Sequence, residues 1–458
     1  MIIRVTPHKF SGIIKVPPSK SHTIRQLFIA ALADGESEII NPLDSLDTRS
    51  CLSVCKAFGA EVEELSQEGI DDLGQADKRL IRNISGNNGF KNKKLTCAQI
   101  NTGNSGTTLF FALAIAGLQS EWVEFTGDEQ TQKRGADPLL NALKGLGIQS
   151  ESNNGCVPIK IKGPWKGGKV SLPCPTSQYL SAILIAAPLA PSGTITEIDV
   201  PFFNEKPYID MTLSYVNKYL KPNLSTGHQY IVPGGSRIET RAMRHFFHFV
   251  PGDFSSAAFP AAAAAISGGQ VTLLGLDPKD TQGDKYFFNI LEEMGCTVNW
   301  NKAKDNRNDW TVTISREGAL KGGVFDLNET PDLLPAAAAV AAFAEGDTIF
   351  CNVSHARTKE TDRIAVMAAE LAKLGVKCAE TPDGLIVHGK GNLLSFENHD
   401  GGFPVINGHG DHRIVMAFAA AALGCPAPIA ITDAECTDVT YPCFFSLFDE
   451  AFIKLTDF

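Results

Sequence analysis

The stretch GIIKVPPSKSHTIRQLFIAAL, from Gly12 to Leu32, contains the pattern that decides the fold. A short strand comes first, a polar turn with two prolines follows, and the rest is an Ala/Leu-rich helix. The same order recurs along the chain, in six places altogether. The strands and turns of these segments are Gly12–Pro17 before Ser19–Ser21, Cys97–Ile100 before Asn104–Gly106, Val170–Leu172 before Thr176–Gln178, His248–Val250 before Asp253–Ser256, Val324–Leu327 before Pro331–Asp332, and Val405–Ile406 before Asp411–Arg413.

A second element separates these segments: an amphipathic helix, a glycine and a short strand, as in Leu146-Gly-Ile148. Each repeat therefore reads β-α-β-α-β-β, and it is longer than the roughly 20 to 50 residues of a solenoid unit. We predict an α/β fold of six such units, three in each of two lobes. A polar crossover at Pro233–Ser236 divides residues 19–235 from a lobe of residues 1–18 plus 236–458. The strand Ile2–Val5 and a last helix, Phe444–Leu455, complete one unit together.

Composition excludes several classes of protein. The chain has 458 residues, enough for two or three domains, with 41 Lys and Arg against 51 Asp and Glu. The net charge of −10 argues against general nucleic-acid binding. No apolar run reaches the ~18 residues of a membrane helix, and residues 1–15 have no signal-peptide core. The 11 cysteines never show Cys-x-x-Cys spacing, so reduced thiols in a cytoplasmic protein are expected.

The polar residues of all six segments fall at predicted helix starts. Free N–H groups and the positive end of the helix dipole favour anions there, although Ser, Thr, Asn and Asp are also ordinary capping residues. Lys20 and Arg25 lie in the first turns of one helix, where cations are unfavourable unless an anion binds. This pair points to an anionic ligand.

Charged residues near three other helix starts suggest acid–base chemistry. Lys359 and Arg363 share a helix face beside Glu360, either as a solvated salt-bridge patch or as part of a site. Arg413, in Asp-His-Arg, is suited to hold a carboxylate bidentately. Asp332 either caps a helix or, with Lys359 or Lys20, supplies a base and an acid partner. Neither GxxxxGK[ST] nor GxGxxG occurs, so a nucleotide site is not predicted.

Eight motifs in this order resemble the 5-enolpyruvylshikimate-3-phosphate (EPSP) synthase family across nearly the whole chain. They are Val16–Arg25, Gly103–Thr107, Thr176–Gln178, Lys206–Asp210, Pro251–Ser256, Pro331–Asp332, Arg357–Arg363 and Asp411–Arg413. The resemblance implies a two-lobed inside-out α/β barrel. It also implies transfer of a carboxyvinyl group from phosphoenolpyruvate to the 5-hydroxyl of shikimate 3-phosphate, in aromatic amino acid biosynthesis by way of chorismate. No metal or organic cofactor is implied.

The resemblance also implies a role for individual residues. For shikimate 3-phosphate, these are Ser21 and Arg25 at the carboxylate side, Thr176 and Ser177 at the 3-phosphate, and Asp332 and Lys359 at the ring hydroxyls. For phosphoenolpyruvate, they are Arg363 and Arg413 at the carboxylate and the Gly106 backbone at the phosphate. Lys20 would bridge both substrates, Gln178 would lie between them, and Asp332 and Glu360 would transfer protons. Tyr208, His355 and His412 complete the implied substrate-binding set.

Three positions depart from the family pattern. Gln130 and Val439 replace cations that serve phosphoenolpyruvate, and Glu205 replaces a serine at the shikimate phosphate. A carboxylate about 4 Å from another anion is repelled by roughly 1 to 4 kcal/mol. Lys133 and Arg134 are neighbouring cations that can compensate for Gln130, but Arg134 already matches another arginine of the family pattern. Two alternatives stay open: a lyase acting on a shikimate-like phosphate without phosphoenolpyruvate, and a non-catalytic homologue. We expect a monomer whose partners are small anionic substrates.

Overall fold

The computed structural model describes residues 1–70, 76–86, 99–220, 228–239, 246–302, 310–391 and 403–455. The chain divides into two compact units. Unit 1 comprises Met1–Pro17 and Gly252–Phe458, and unit 2 comprises Pro18–Pro251.

The helices and strands follow the repeat order of the sequence. The first 17 residues contain β1 (Ile2–Val5) and β2 (Gly12–Lys15). Unit 2 contains α1 (Lys20–Leu32), β3 (Glu36–Ile40), α2 (Leu46–Ala57), β4 (Glu61–Ile70), β5 (Ala76–Ser85), β6 (Gln99–Asn101), α3 (Gly106–Ala116), β7 (Val123–Thr126), α4 (Asp137–Gly145), β8 (Gln149–Asn153), β9 (Cys156–Lys162), β10 (Gly168–Ser171), α5 (Ser177–Ala186), β11 (Ile195–Asp199), α6 (Lys206–Tyr219), β12 (Gln229–Pro233) and β13 (Phe246–Phe249). The remainder of unit 1 contains α7 (Phe254–Ser267), β14 (Gln270–Leu274), α8 (Tyr286–Glu293), β15 (Thr297–Lys302), β16 (Trp310–Ser315), β17 (Leu320–Lys321), β18 (Val324–Asp326), α9 (Leu334–Ala341), β19 (Ala344–Cys351), α10 (Arg363–Lys373), β20 (Lys377–Thr381), β21 (Gly384–Lys390), β22 (Val405–Ile406), α11 (His412–Ala422), β23 (Ile429–Ile431) and β24 (Phe452–Leu455).

Each unit has three sheets among its described residues, and every sheet combines a parallel strand pair with antiparallel pairing. In unit 2 the strand orders are β13-β3-β5-β4, β6-β7-β9-β8 and β10-β11-β12. In unit 1 they are β22-β23-β1-β24, β15-β16-β14-β2 and β17-β19-β21-β20, with β18 also on β19. Parallel neighbours need a crossover connection, which a helix usually provides. The predicted α/β class with three repeats per lobe is confirmed.

Apolar helices form the core of each unit. The first helix of every repeat is almost entirely buried, as α7 is from Phe254 to Ile266. A helix that is apolar on all sides belongs in an interior. In unit 1, α7, α9 and α11 pack against one another. In unit 2, α3 packs on α5, and the ring of Phe28 in α1 lies 5.9 Å from that of Phe111 in α3. The polar residues that the sequence predicts for the site lie at the starts of these helices.

One strand lies in a different unit from the one that the sequence predicts. The sequence places the His248–Val250 segment beside the helix that follows it, in the lobe that contains residues 236–458. Instead, β13 pairs in parallel with β3 and belongs to unit 2. The matching strand β2 pairs in parallel with β14 in unit 1. The chain therefore passes from unit 2 to unit 1 after Pro251, because these strands bond to distant partners that local patterning does not reveal.

The chain termini meet in one sheet. β1 pairs antiparallel with both β23 and β24, which confirms that the first strand belongs with the C-terminal segment. The prediction of one helix over Phe444–Leu455 is wrong in its second part: a 3₁₀ helix spans Phe444–Ala451 and β24 follows. The backbone hydrogen bonds that β1 offers account for the extended ending. Among the described residues, no helix has the length and apolarity needed to cross a membrane.

Candidate active site

Unit 1 brings cations and carboxylates together at the starts of its helices. The members, which we call the unit 1 cluster, are Asp332, Lys359, Glu360, Arg363, Asp411 and Arg413. Asp332 lies in a 3₁₀ turn before α9, and Arg363 is the first residue of α10. Asp411 caps α11 by accepting a hydrogen bond from the backbone N–H of Arg413 at 2.9 Å. Residues far apart in the sequence thus share one neighbourhood.

Arg363 is the centre of this cluster, with a side chain that is 0% exposed. Its Nε donates to Asp411 at 2.8 Å and its Nη1 to Asp332 at 2.7 Å. Its Nη2 donates to Glu360 at 2.6 Å and to Asp411 at 3.1 Å. Burial lowers the pKa of Arg363, but the negative charges of Asp411, Glu360 and Asp332 outweigh it and raise the pKa. The fork of this guanidinium therefore holds three carboxylates in place.

Asp332 lies between the two arginines of the cluster. Arg413 Nη2 is 3.1 Å from Asp332 Oδ2, and Arg413 Nη1 donates to the Asp332 carbonyl at 3.3 Å. Burial raises the pKa of Asp332, but the positive charges of Arg413, Lys359 and Arg363 outweigh it and hold the pKa below its usual value. Asp332 is thus ionised at neutral pH and able to accept a proton.

Asp284 is a buried carboxyl of unit 1 that sequence reasoning missed. Ser255 Oγ donates a hydrogen bond to Asp284 Oδ2. Burial, followed by the negative charge of Asp332, raises the pKa of Asp284 to about 7. Asp284 is therefore a second carboxyl of the site, and unlike Asp332 it titrates near neutral pH. The Gln-Gly-Asp sequence in which Asp284 occurs has no charge or capping pattern that identifies it.

In unit 2, the two predicted cations at the start of α1 have partners within the same unit. Lys20 Nζ lies 3.0 Å from Asp47 Oδ2 on α2. Arg25 is buried and donates to Thr212 Oγ1 at 2.8 Å, to the Ser21 carbonyl at 3.0 Å and to the Tyr208 carbonyl at 3.1 Å. Burial lowers the pKa of Arg25 to about 10, so the side chain remains charged at neutral pH.

The start of α5 is occupied by a carboxylate of the same chain. Glu205 Oε2 accepts hydrogen bonds from Thr176 Oγ1 at 3.2 Å, from the Ser177 backbone N–H at 3.0 Å and from Ser177 Oγ at 2.7 Å. Thr176 and Ser177 are the residues expected at the 3-phosphate. Glu205 therefore faces the expected phosphate position.

The starts of α3 and α5 are linked. Gln178 Nε2 donates to Thr107 Oγ1 at 3.0 Å. The guanidinium of Arg134 lies so close to Gly106 that a Cβ there would collide with Nη1. Gln130, in contrast, accepts a hydrogen bond from Asn104 Nδ2 at 2.7 Å. Arg134 thus brings a positive charge to the start of α3. We call Lys20, Arg25, Gly106, Arg134, Thr176, Ser177, Gln178 and Glu205 the unit 2 cluster.

The remaining predicted residues lie beside these clusters. His355 is buried in a 3₁₀ helix, Ser354–Thr358, that precedes Lys359. His412 is buried between Asp411 and Arg413 at the start of α11. Tyr208 lies in the first turn of α6 and offers its carbonyl to Arg25. Val439 is a buried apolar residue of the 3₁₀ helix Ala434–Val439.

The predicted site residues thus form two groups, one within each unit. The ion-pair partners Asp47 and Asp411 and the buried carboxyl of Asp284 join them. Across the residues that the structure describes, no group of three or more His, Cys, Asp and Glu side chains is arranged to hold a metal ion.

Comparisons with known proteins point to one family. The family pattern described as EPSP synthase (3-phosphoshikimate 1-carboxyvinyltransferase) matches residues 5–448. A protein of Acetivibrio thermocellus with the name 3-phosphoshikimate 1-carboxyvinyltransferase is 41% identical over 447 residues, covering 97% of this chain and 96% of its own. A protein of Nitrosopumilus maritimus with the same name is 38% identical over 446 residues, with 97% of each chain covered. A solved EPSP synthase of Acinetobacter baumannii superposes with a TM-score of 0.74 at 27% identity, over 99% of this chain and 100% of its own.

The fold and these relatives define the class of protein. The chain is an enolpyruvyl transferase, an α/β protein whose two units contain three sheets each and carry cations and carboxylates at their helix starts. The chain belongs to the EPSP synthase (3-phosphoshikimate 1-carboxyvinyltransferase) family.

Proposed function

We propose that this chain transfers the carboxyvinyl group of phosphoenolpyruvate to the 5-hydroxyl of shikimate 3-phosphate and releases phosphate. The single observation that carries the proposal is Asp332, an ionised carboxylate between Arg363 and Arg413, with Glu360 on the same arginine. The reaction needs a base at the hydroxyl, an acid at the methylene carbon and cations for two anionic substrates. The unit 1 cluster contains all three kinds of group. In this role the chain serves aromatic amino acid biosynthesis.

Asp332 takes the proton of the 5-hydroxyl, and Glu360 supplies one to the methylene carbon during addition. Elimination of phosphate then reverses both duties. Arg413 binds the phosphoenolpyruvate carboxylate, assisted by Arg363. A substrate carboxylate at Arg413 weakens the positive field on Asp332 and so raises the pKa of Asp332 towards a value useful for a base. Substrate binding thereby prepares the base.

Residues of unit 2 bind the remaining groups of the two substrates. Ser21 and Arg25 serve the carboxylate side of shikimate 3-phosphate, with Tyr208 beside them. Thr176 and Ser177 serve its phosphate, and Gln178 lies between the substrates. Lys20 leaves Asp47 to bridge both. In unit 1, Lys359 contacts the ring hydroxyls, and His355 and His412 complete the set. No metal or organic cofactor takes part.

Arg134 is the residue that we assign to the phosphate of phosphoenolpyruvate, with the Gly106 backbone. Arg134→Ala should raise the KM for phosphoenolpyruvate by about 10- to 150-fold, since a lost charge-assisted hydrogen bond costs about 1.5–3 kcal/mol. Steady-state kinetics at saturating shikimate 3-phosphate measures this. Lys133→Ala is the matched control, because Lys133 is an adjacent, exposed cation. A larger rise in KM for the Lys133 variant than for the Arg134 variant would contradict the assignment.

The alternatives suggested by Gln130, Val439 and Glu205 lose ground. The guanidinium of Arg134 lies beside Gly106, and relatives at 38% to 41% identity carry the transferase name. The lyase and the non-catalytic homologue are therefore not favoured.

We also propose that the protein is a cytoplasmic monomer. The cysteines in the described residues are all free thiols, as in a reducing compartment.

One incubation with shikimate 3-phosphate, with and without phosphoenolpyruvate, tests the function. We expect phosphate release only when phosphoenolpyruvate is present, together with a product heavier than shikimate 3-phosphate by one carboxyvinyl group in place of hydrogen. Mass spectrometry of the product and a phosphate assay give both readings. A lighter product formed without phosphoenolpyruvate would instead establish a lyase.

A further inference from the structure

Glu205 is held against the start of α5 by its backbone as well as by its side chain. It adopts a left-handed conformation, with φ +59° and ψ +41°, at the residue before α6. A glutamate rarely adopts this region without support from its surroundings. That support comes from the loop: the Asn204 backbone N–H donates to the Cys174 carbonyl at 3.1 Å, and its side chain donates to the Pro175 carbonyl at 3.2 Å. The side chain of Glu205 is therefore aimed inward.

The Glu205 carboxylate is buried, and the groups that donate hydrogen bonds to it suit an anion. Glu205 is 2% exposed, and one of its oxygens accepts all three hydrogen bonds from Thr176 and Ser177. One donor is a backbone N–H at a helix start, where the helix dipole also favours negative charge. The negative charge of Glu205 additionally opposes the lowering of the pKa of Arg25 that burial causes. Glu205 thus satisfies both the donors and a neighbouring cation.

A phosphate at this position would use the same donors. Two anions cannot accept these hydrogen bonds from the same side at once, and at about 4 Å they repel each other. The geometry points to Glu205 as a built-in competitor of the substrate phosphate, a residue that closes the 3-phosphate subsite until the substrate displaces its carboxylate. This inference rests on the proposed function, because that function assigns Thr176 and Ser177 to the 3-phosphate.

The competitor has a specific consequence for ligand selection. A ligand whose site is open in only a fraction of the molecules binds with its affinity reduced by that fraction. The reduction applies to shikimate 3-phosphate and to inorganic phosphate, which need the subsite. It does not apply to shikimate, which has a hydroxyl in place of the phosphate. Glu205 therefore sets how strongly the protein prefers the phosphorylated ring over the unphosphorylated one.

Isothermal titration calorimetry of the full chain with shikimate 3-phosphate, and separately with shikimate, tests this inference. Glu205→Ser should lower the Kd for shikimate 3-phosphate by about tenfold or more, the gain expected if the subsite is open in a tenth of the molecules or fewer. The Kd for shikimate should change little. Glu205→Gln keeps an acceptor for Thr176 and Ser177 without the charge. Its Kd for shikimate 3-phosphate should therefore lie between the values of the unmodified protein and of Glu205→Ser. Glu121→Ser, which removes an exposed carboxylate of the same unit, should leave both affinities unchanged.

The outcomes separate this inference from the proposed function. An unchanged or higher Kd for shikimate 3-phosphate in both folded Glu205 variants, checked by circular dichroism, would overturn the role of Glu205. An equal gain for shikimate would overturn it too, since the effect would then not concern the phosphate. Because binding is measured without turnover, tighter binding in a protein that forms no carboxyvinyl product would support the role of Glu205 while the proposed reaction fails.

Discussion

Replacing Asp332 by Asn should lower kcat by roughly 10²- to 10⁴-fold, the usual contribution of one positioned proton transfer. Asparagine has nearly the same volume and can still accept a hydrogen bond from Arg363, but it cannot take a proton from the 5-hydroxyl. Phosphate release at saturating concentrations of both substrates gives kcat.

Asp347→Asn is the matched control for this measurement. Asp347 lies in the same unit, its side chain is 59% exposed and it pairs with His388 at the surface. Its removal should leave kcat unchanged. Urea unfolding of both variants separates a catalytic loss from a loss of folded protein, because Asp332 also pairs with two arginines. A folded Asp332→Asn protein with near wild-type kcat would show that Asp332 is not the base.

Asp411→Asn should destabilise unit 1 by about 1.5–3 kcal/mol, the range for hydrogen bonding to a charged group, because Arg363 keeps the counter-charges of Asp332 and Glu360. Arg363 is fully buried and makes two of its hydrogen bonds with Asp411, at 2.8 and 3.1 Å. Asparagine still caps α11, so loss of the cap does not contribute to the change. The midpoint and slope of urea unfolding at pH 7 give the difference, with Asp347→Asn as the surface control.

The pH dependence of this difference has a defined sign. Burial raises the pKa of Asp411, but the charge of Arg363 outweighs it, so the folded pKa lies below its usual value. The contribution of Asp411 to the free energy of unfolding is therefore complete at neutral pH. It is lost as the pH falls from the ordinary value of about 3.9 through the lower folded pKa. A variant that unfolds at the wild-type urea concentration at pH 7 would contradict the role of Asp411.

Much of the fold was predictable because it repeats. Each first helix is rich in apolar residues and follows a short strand, so the local sequence indicates the order of the elements. The place of β13 in unit 2 was not predictable, since this strand pairs with β3, more than two hundred residues away in sequence. Strand pairing over such distances depends on tertiary packing rather than on the pattern of one segment.

The candidate site was predictable where residue types are unusual for their position, and not where partners complete it. Lys20 and Arg25 were identifiable because cations at a helix start are unfavourable. Asp47 and Asp284 were missed, since an isolated acid in an α-helical turn or a short 3₁₀ helix has no distinguishing pattern. Gln130 suggested a missing cation, and the position of the Arg134 guanidinium beside Gly106 is visible only in the side-chain geometry.

A crystal structure with shikimate 3-phosphate and a non-reactive analogue of phosphoenolpyruvate tests the proposed site residues most directly. We expect Asp332 and Arg413 of unit 1, and Lys20 and Arg134 of unit 2, to contact these ligands. Ligands bound away from the residues of either cluster would contradict the proposed site.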